Sequence, residues 1–352
     1  MNYLVIKIFA VGNADCLLFE MLDQELGVVD FCRRPSLSGH PLSPPNQCQP
    51  PKVIFICLTH PHSDHMTEME SILDFAAANN GEFWHTVYDM AKVLELYASP
   101  RVARAFRKPL IRELARLASL ASAVAEKFPA ERIRFISGRP GASERILSTE
   151  EIDIDVLGPS RRDTTEYILM LQRVNAGELR EVNDRLINRT SAVLRIRYGE
   201  NTIILGGDAP SENWRQITGR WQTDNPQPMG VQAVKASHHG SKDSFYPELW
   251  DGLFGEKPGI IFVSADGSIR PTREFLDSFA PRRERGIDDK IYCTGPMDRE
   301  RRPEFLGLEY QAVLDFASQP VRDSGMVRWG NIEVTIPYKG PISVTQPYTS
   351  PV

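Results

Sequence analysis

Five of the seven histidines in the chain fall into two tight clusters, His60, His62 and His65 in one and His238 and His239 in the other. A transition ion needs neutral imidazole nitrogens and carboxylate oxygens converging at about 2 Å. The segment Thr59-His60-Pro61-His62-Ser63-Asp64-His65 supplies four such donors within six residues, a density with few purely structural uses. A carboxylate between ion-binding histidines, here Asp64, suits a second ion and can orient a water beside it. In Gly206-Gly207-Asp208 the glycines let the backbone approach closely while Asp208 projects, so that it could bridge two ions. Ser237-His238-His239-Gly240 adds two more imidazoles, with Lys235 and Lys242 nearby, read equally as groups that neutralise an anion and as structural lysines.

Strand-like runs stand before these clusters, and a turn after a rigid buried strand can aim several donors at one point. The run Lys52 to Leu58 is apolar and of strand length, as expected for a strand buried on both faces. Thr202 to Leu205 repeats the design before Asp208. Alternating patterns predict further strands over 3–9, 16–20, 27–31, 152–157, 192–198 and 259–264, hence two sheets. Residues 33–51 hold six prolines and predict a surface loop. Helices are expected over 66–79 and 87–98, and from Pro109 to Phe128, where Leu110, Leu114, Leu117 and Val124 recur at helical spacing. Around that last helix stand Arg101, Arg104, Arg107, Lys108, Arg112, Arg116 and Lys127, a solvated face in preference to a phosphate-binding one. The expected fold class is α/β (α+β). No repeat or linker divides the chain, so a single domain over 1–352 is expected, with a helical insertion at about 87–130 and extra strands and a tail at about 290–352.

Composition narrows the classes of function. With 352 residues, 41% hydrophobic and 25% charged, the chain reads as water-soluble, with no run near the roughly 20 apolar residues a membrane span requires. The first residues acquire charge too early for a secretory signal. Five cysteines without a Cys-x-x-Cys pair argue against a disulfide framework or zinc finger and for a reducing cytoplasm. A net charge of −5 provides no general attraction to polyanions, so a nucleic-acid contact needs a local basic patch.

In their order, His60-Pro61-His62-Ser63-Asp64-His65, Gly206-Gly207-Asp208-Ala209 and Ser237-His238-His239-Gly240-Ser241 resemble the metallo-β-lactamase superfamily, and within it the soluble hydrolase domain of bacterial DNA-uptake (competence) proteins. The likeness extends to Val11-Gly12-Asn13-Ala14-Asp15, Val28-Val29-Asp30 and Asn188-Arg189-Thr190-Ser191, spanning roughly residues 3–280 through short motifs. The resemblance implies a four-layer αββα sandwich with a one- or two-metal site. It implies His60 and His62 on one ion, Asp64, His65 and a later histidine on the second, and Asp208 joining them. His239 is preferred for the later histidine, because Gly240 follows it, which leaves His238 beside the ligands or as a proton donor. Asp15 and Asp30 are expected to orient ligands or hold loops.

Several residues depart from the family's pattern. Many members carry a further histidine on the first ion, and between His65 and Asp208 only His85 is available, which reads better as a histidine packed beside Trp84 at the sheet surface. The segment from Asn188 to Ser191 stands in its place, leaving a first site that is weak, completed by water or suited to manganese. Phe31 and Cys32 follow Asp30 where a small residue and glycine are usual, and Arg270 precedes Pro271 where a histidine is common. Arg270 is read equally as a phosphate grip and as an exposed turn residue.

The function implied is a metal-dependent hydrolase using a metal-bound hydroxide, with Asp64, Asp208 and His238 as catalytic groups and one or two zinc ions, or manganese, as cofactor. The favoured substrate is a phosphodiester, with DNA or another nucleic acid as a nuclease substrate. Hydrolysis of a small ester, lactone or amide is the alternative, and a metal-bearing binding or regulatory module is a third reading. No membrane partner is expected.

Overall fold

The computed structural model describes residues 3–11, 13–21, 24–32, 42, 51–105, 110–138, 144–225, 227–265, 269–295 and 331–345. Its strands are β1 (Tyr3–Ile8), β2 (Cys16–Glu20), β3 (Glu25–Phe31), β4 (Lys52–Leu58), β5 (Glu82–His85), β6 (Ile133–Phe135), β7 (Glu144–Ser148), β8 (Ile152–Gly158), β9 (Val193–Tyr198), β10 (Asn201–Leu205), β11 (Ala233–Lys235), β12 (Ile260–Val263), β13 (Lys290–Cys293), β14 (Ile332–Pro337) and β15 (Ser343–Thr345). One sheet has the order β15-β14-β1-β2-β3-β4-β5-β6 and the other β13-β12-β11-β10-β9-β8-β7. In the first, β3, β4, β5 and β6 run parallel; in the second, β10, β11, β12 and β13 do.

Period-two alternation divides each central strand between two apolar layers. On β4, Phe55 and Cys57 face the layer between the sheets, while Val53, Ile56 and Leu58 face helices on the outer side. On β10, Ile203 and Leu205 point between the sheets, and Ile204 points to the opposite helical layer. Helices Leu73–Ala78, Met90–Tyr97, Leu110–Lys127 and Arg161–Ala176 cover the first sheet; Ser211–Asp224, Leu249–Phe254 and Arg273–Asp277 cover the second. This is the four-layer αββα arrangement, two stacked sheets with helices on both outer faces. Gly27 allows a close approach within it, because a Cβ there would lie 2.1 Å from the Phe55 ring, which stacks on Trp84 at 4.2 Å.

The expected strands of the first sheet and the run at 52–58 are present with small shifts at their ends. The helix expected over 66–79 is broken instead into Ser63–Met66, Met69–Ile72 and Leu73–Ala78, because Glu68 adopts a left-handed backbone with φ of 68°. The helix expected from 87 begins at Met90, capped by the Asp89 side chain. Short β5, β6 and β7 were not expected from the sequence. The proline-rich loop lies outside the described residues except for Leu42 and Pro51, as do Pro109 and most of the tail.

Candidate metal centre

All the parallel strands end at one edge of the sandwich, and the donors gather there. Asp30 is the penultimate residue of β3, His60 to His65 follow β4, Asp208 follows β10, and His238 and His239 follow β11. Loops from the antiparallel strands reach the same edge, bringing Asp15 before β2 and Ser191 before β9. Convergence at the carboxyl ends of parallel strands is the usual place for a site in open α/β sheets.

Two groups of donors result, one formed by Asp64, His65, Asp208 and His239 and the other by His60, His62 and Asp208. Asp208 uses a different oxygen toward each. Its Oδ1 lies 3.5 Å from His65 Nε2 and 4.0 Å from His239 Nε2. Its Oδ2 lies 3.8 Å from His60 Nε2 and 3.9 Å from His238 Nε2. Asp64 Oδ2 closes the first group at 3.9 Å from His65 Nε2 and 3.8 Å from His239 Nε2. Bonds of 2.0–2.1 Å to a tetrahedral ion would separate neighbouring donors by about 3.3 Å, so modest contraction seats an ion in this set.

The hydrogen-bond inventory supports that fit. His65 Nε2, Asp208 Oδ1 and His239 Nε2 are buried and have no hydrogen-bond partner among the described residues. Leaving three such atoms side by side is costly unless something electropositive joins them. Meanwhile the opposite ring nitrogens are held. His65 Nδ1 is 2.7 Å from Asp30 Oδ2, and His239 Nδ1 donates to the Ser264 carbonyl at 2.6 Å. His60 Nδ1 sits 3.1 Å from Thr59 Oγ1 and 3.2 Å from Ser191 Oγ. Such contacts fix the tautomer and aim the Nε2 lone pair inward.

Asp30 also accepts from the Thr59 backbone N–H at 2.8 Å and from Thr59 Oγ1 at 2.7 Å. Ser191 Oγ in turn accepts from the Asp208 N–H at 2.7 Å. Thr59 and Ser264 were not among the expected site residues, although each directly follows a strand and Thr59 adjoins His60. The third acidic group, Asp15 with Asp30 and His65, is already committed: Asp30 serves His65 and Thr59, and Asp15 pairs with Lys235.

Burial holds the His60 pKa well below that of an ordinary histidine, which keeps its lone pair available. Burial works the same way on His65 but is outweighed by Asp30, Asp208 and Asp64, so its pKa rises well above normal. His239 likewise rises, because Asp208 and Asp64 overcome its burial. Burial opposes charge on Asp208, yet His65, His238 and His239 bring its pKa well below the carboxylate range. Protons and a divalent ion therefore compete for one set of lone pairs.

The remaining expected residues separate clearly. Lys235 was open between a structural and a substrate-binding role; its ammonium is buried with Asp15, each side chain 1% exposed. Lys242 is exposed. His85 ends β5 and is not in either donor group among the described residues; it is buried against Phe83 and Phe135, with its pKa lowered to about 4 by burial. Arg270 is half-buried, within electrostatic reach of Asp208 and His238. Asn188 closes the helix Asp184–Asn188, with its amide nitrogen 3.5 Å from His238 Nδ1.

No protein-family description matches the chain, and no curated protein matches it either. Among solved structures it is similar to CmlA, a diiron β-hydroxylase from Streptomyces venezuelae, at 14% identity and a TM-score of 0.42, covering 82% of this chain and 53% of that one. A mutant of the same β-hydroxylase gives 14% identity and a TM-score of 0.41, covering 82% and 52%. The chain thus spans about half the length of these structures. No helix among the described residues is long and apolar enough to cross a membrane.

Proposed function

We propose that this protein is a metal-dependent hydrolase acting on a phosphodiester, with nucleic acid as the substrate to test first. The carrying observation is the pair of donor groups joined through the two oxygens of Asp208. When bound there, two ions would supply a water of lowered pKa and polarise the electrophile it attacks. His60, His62 and Asp208 would hold one ion, and Asp64, His65, Asp208 and His239 the other.

The chain's own residues define the approach. Asp64 and His238, with side chains 39% and 28% exposed, and the half-buried His62 form the accessible side of the cluster, whose remaining donors are buried. Arg270 is half-buried and within electrostatic reach of Asp208 and His238, and its guanidinium is a group suited to an anionic oxygen. Of the basic residues around the helix Leu110–Lys127, Arg101 donates to the Asn175 carbonyl, Arg104 to the Pro100 carbonyl, and Lys127 pairs with Asp74. The phosphodiester reading therefore rests on Arg270 and on the resemblance of the motif order to the DNA-uptake branch, rather than on that helix.

Elemental analysis of the purified protein, paired with hydrolysis of bis-p-nitrophenyl phosphate under added zinc or manganese, tests the proposal. About two ions per chain and metal-dependent turnover support it, and salt-sensitive DNA cleavage would then support the nuclease form. Cleavage of a small ester without cleavage of the diester would replace it with the ester, lactone or amide reading. Metal binding without turnover on either would leave a binding module.

A further inference from the structure

We infer that the cleft between the two sheets, at the edge opposite the metal centre, is a binding site for a small organic ammonium ion with an apolar body. The cleft has a volume of about 300 Å³. Leu4, Glu25 and Ile54 reach it from the starting ends of β1, β3 and β4, Ile152 from the start of β8, and Tyr198 from the finish of β9. The donors to the metal stand at the other ends of the parallel strands, and the seven residues of β4 separate the two edges by roughly 20 Å. The cleft is therefore independent of the hydrolase reading. Its volume is at the lower end of the range for small-molecule sites, with room for roughly ten non-hydrogen atoms at about 30 Å³ for each water-sized group.

The walls divide by chemistry. Leu4, Met21, Ile54 and Ile152 form an apolar side continuous with the layer between the sheets. Glu25, Glu150 and Glu151 also line the cleft, and among the described residues no lysine, arginine or histidine does. Lys52 pairs with Glu25 at 2.5 Å, so the local excess of negative charge comes from Glu150 and Glu151. The turn that carries them is braced, because Thr149 Oγ1 accepts from the Glu151 N–H at 3.3 Å and from the Ile152 N–H at 3.1 Å. Tyr198 stands opposite Ile152 in the pairing of β8 with β9, and its ring meets Tyr338 edge-on at 5.5 Å.

Two atoms of this lining call for a donor. Tyr198 is 2% exposed, and neither its hydroxyl nor Glu151 Oε2, both buried, has a hydrogen-bond partner among the described residues. Such groups are costly to bury unsatisfied. A carboxylate oxygen only accepts. Burial, and after it the charge of Glu151, raises the pKa of the Tyr198 hydroxyl, so that oxygen keeps its proton and offers lone pairs. An ammonium group donates to both oxygens and brings the charge that Glu150 and Glu151 favour, while its carbon chain or ring covers the apolar side. A metal ion suits the cleft less well, because these glutamates form no group of three converging donors among the described residues. A water would satisfy the two oxygens but leave the apolar side wet.

The test is isothermal titration calorimetry of the full chain with phenethylamine as the probe and 2-phenylethanol as its neutral counterpart of the same size. Wild type is expected to bind a single phenethylamine, and to bind the alcohol at least about tenfold more weakly, because a hydrogen bond to a charged group is the stronger kind. Glu151→Gln keeps the size of the side chain and should weaken phenethylamine at least about tenfold, and Tyr198→Phe about threefold to tenfold. Thermal unfolding without ligand checks that both variants fold; Tyr198→Phe removes only the unpartnered hydroxyl and should melt no lower than wild type. Equal affinity for the amine and the alcohol would overturn the cationic assignment. Unchanged phenethylamine affinity in both variants would overturn its placement in the cleft, and no binding at millimolar concentrations would overturn the site altogether.

Discussion

Replacing Lys235 by Met should destabilise the protein by about 3–5 kcal/mol, because it strands a buried carboxylate. Lys235 and Asp15 are each 1% exposed, so the carboxylate left behind stays out of bulk solvent. Asp15 Oδ1 already lacks a hydrogen-bond partner among the described residues. The nearest imidazoles, His239 Nδ1 at 3.7 Å and His65 Nδ1 at 3.9 Å, are engaged with Ser264 and Asp30. Denaturant unfolding with excess chelator measures the effect without metal linkage, which would otherwise add its own stabilisation. The double variant Asp15→Leu with Lys235→Met removes both charges and should recover at least half of the loss, since apolar replacement of a buried pair is often close to neutral. A Lys235→Met protein within about 0.5 kcal/mol of wild type, with its substrate KM raised instead, would refute this reasoning and restore Lys235 to the substrate.

Asp30→Asn should weaken metal binding by roughly 10–100-fold in a chelator-competition titration, because the carboxylate orients both His65 and Thr59. His85 makes stability fall in acid: its folded pKa of about 4 lies below the unfolded value near 6.5, so its contribution is present above pH 6.5 and lost as pH drops toward 4. The loss amounts to about 3 kcal/mol at most, and His85→Gln should flatten the wild-type difference in unfolding free energy between pH 7 and pH 4.5 by an amount of that order. Gly207→Ala should lower both stability and metal affinity, because its φ is +48° and the new Cβ would lie 2.5 Å from Ser191 Oγ, which holds His60 and Asp208. By contrast Gly219→Ala, within the helix Ser211–Asp224 with open space around it, should raise the melting temperature, a gain of roughly 0.5–1 kcal/mol.

The strand-then-donor pattern was legible because Lys52 to Leu58 and Thr202 to Leu205 are continuous apolar runs ending in polar side chains. Strands of three to five residues such as β5, β6 and β7 carry too few positions for a period to register. Helical spacing over 66–79 was real, but a single left-handed residue at Glu68 breaks the helix without altering the apolar spacing. The role of Lys235 was hidden for a different reason. Its partner Asp15 is 220 positions away, and a lysine beside a histidine pair reads the same whether it faces substrate or a buried acid. The contact between Asn188 and His238 spans 50 positions and is equally silent in the sequence.

The donors come from both sheets, so the centre is also a seam. His60, His62, Asp64 and His65 belong to the first sheet, and Asp208, His238 and His239 to the second. Ions shared between them would cross-link the sandwich at one edge, yet the edge does not depend on ions for its alignment. The Ala192 N–H donates to the Thr59 carbonyl at 2.9 Å, Ser264 Oγ to the Ala14 carbonyl at 2.5 Å, and Lys235 to Asp15. These ties cross from one sheet to the other beneath the donors and use none of the inward-facing Nε2 atoms. Alignment and ligation are thus carried by different groups. It follows that Lys235→Met should cost stability with chelator present, whereas Asp30→Asn should cost affinity more than stability. A site built this way holds its donors in place before the ion arrives, which reduces the ordering that binding must accomplish.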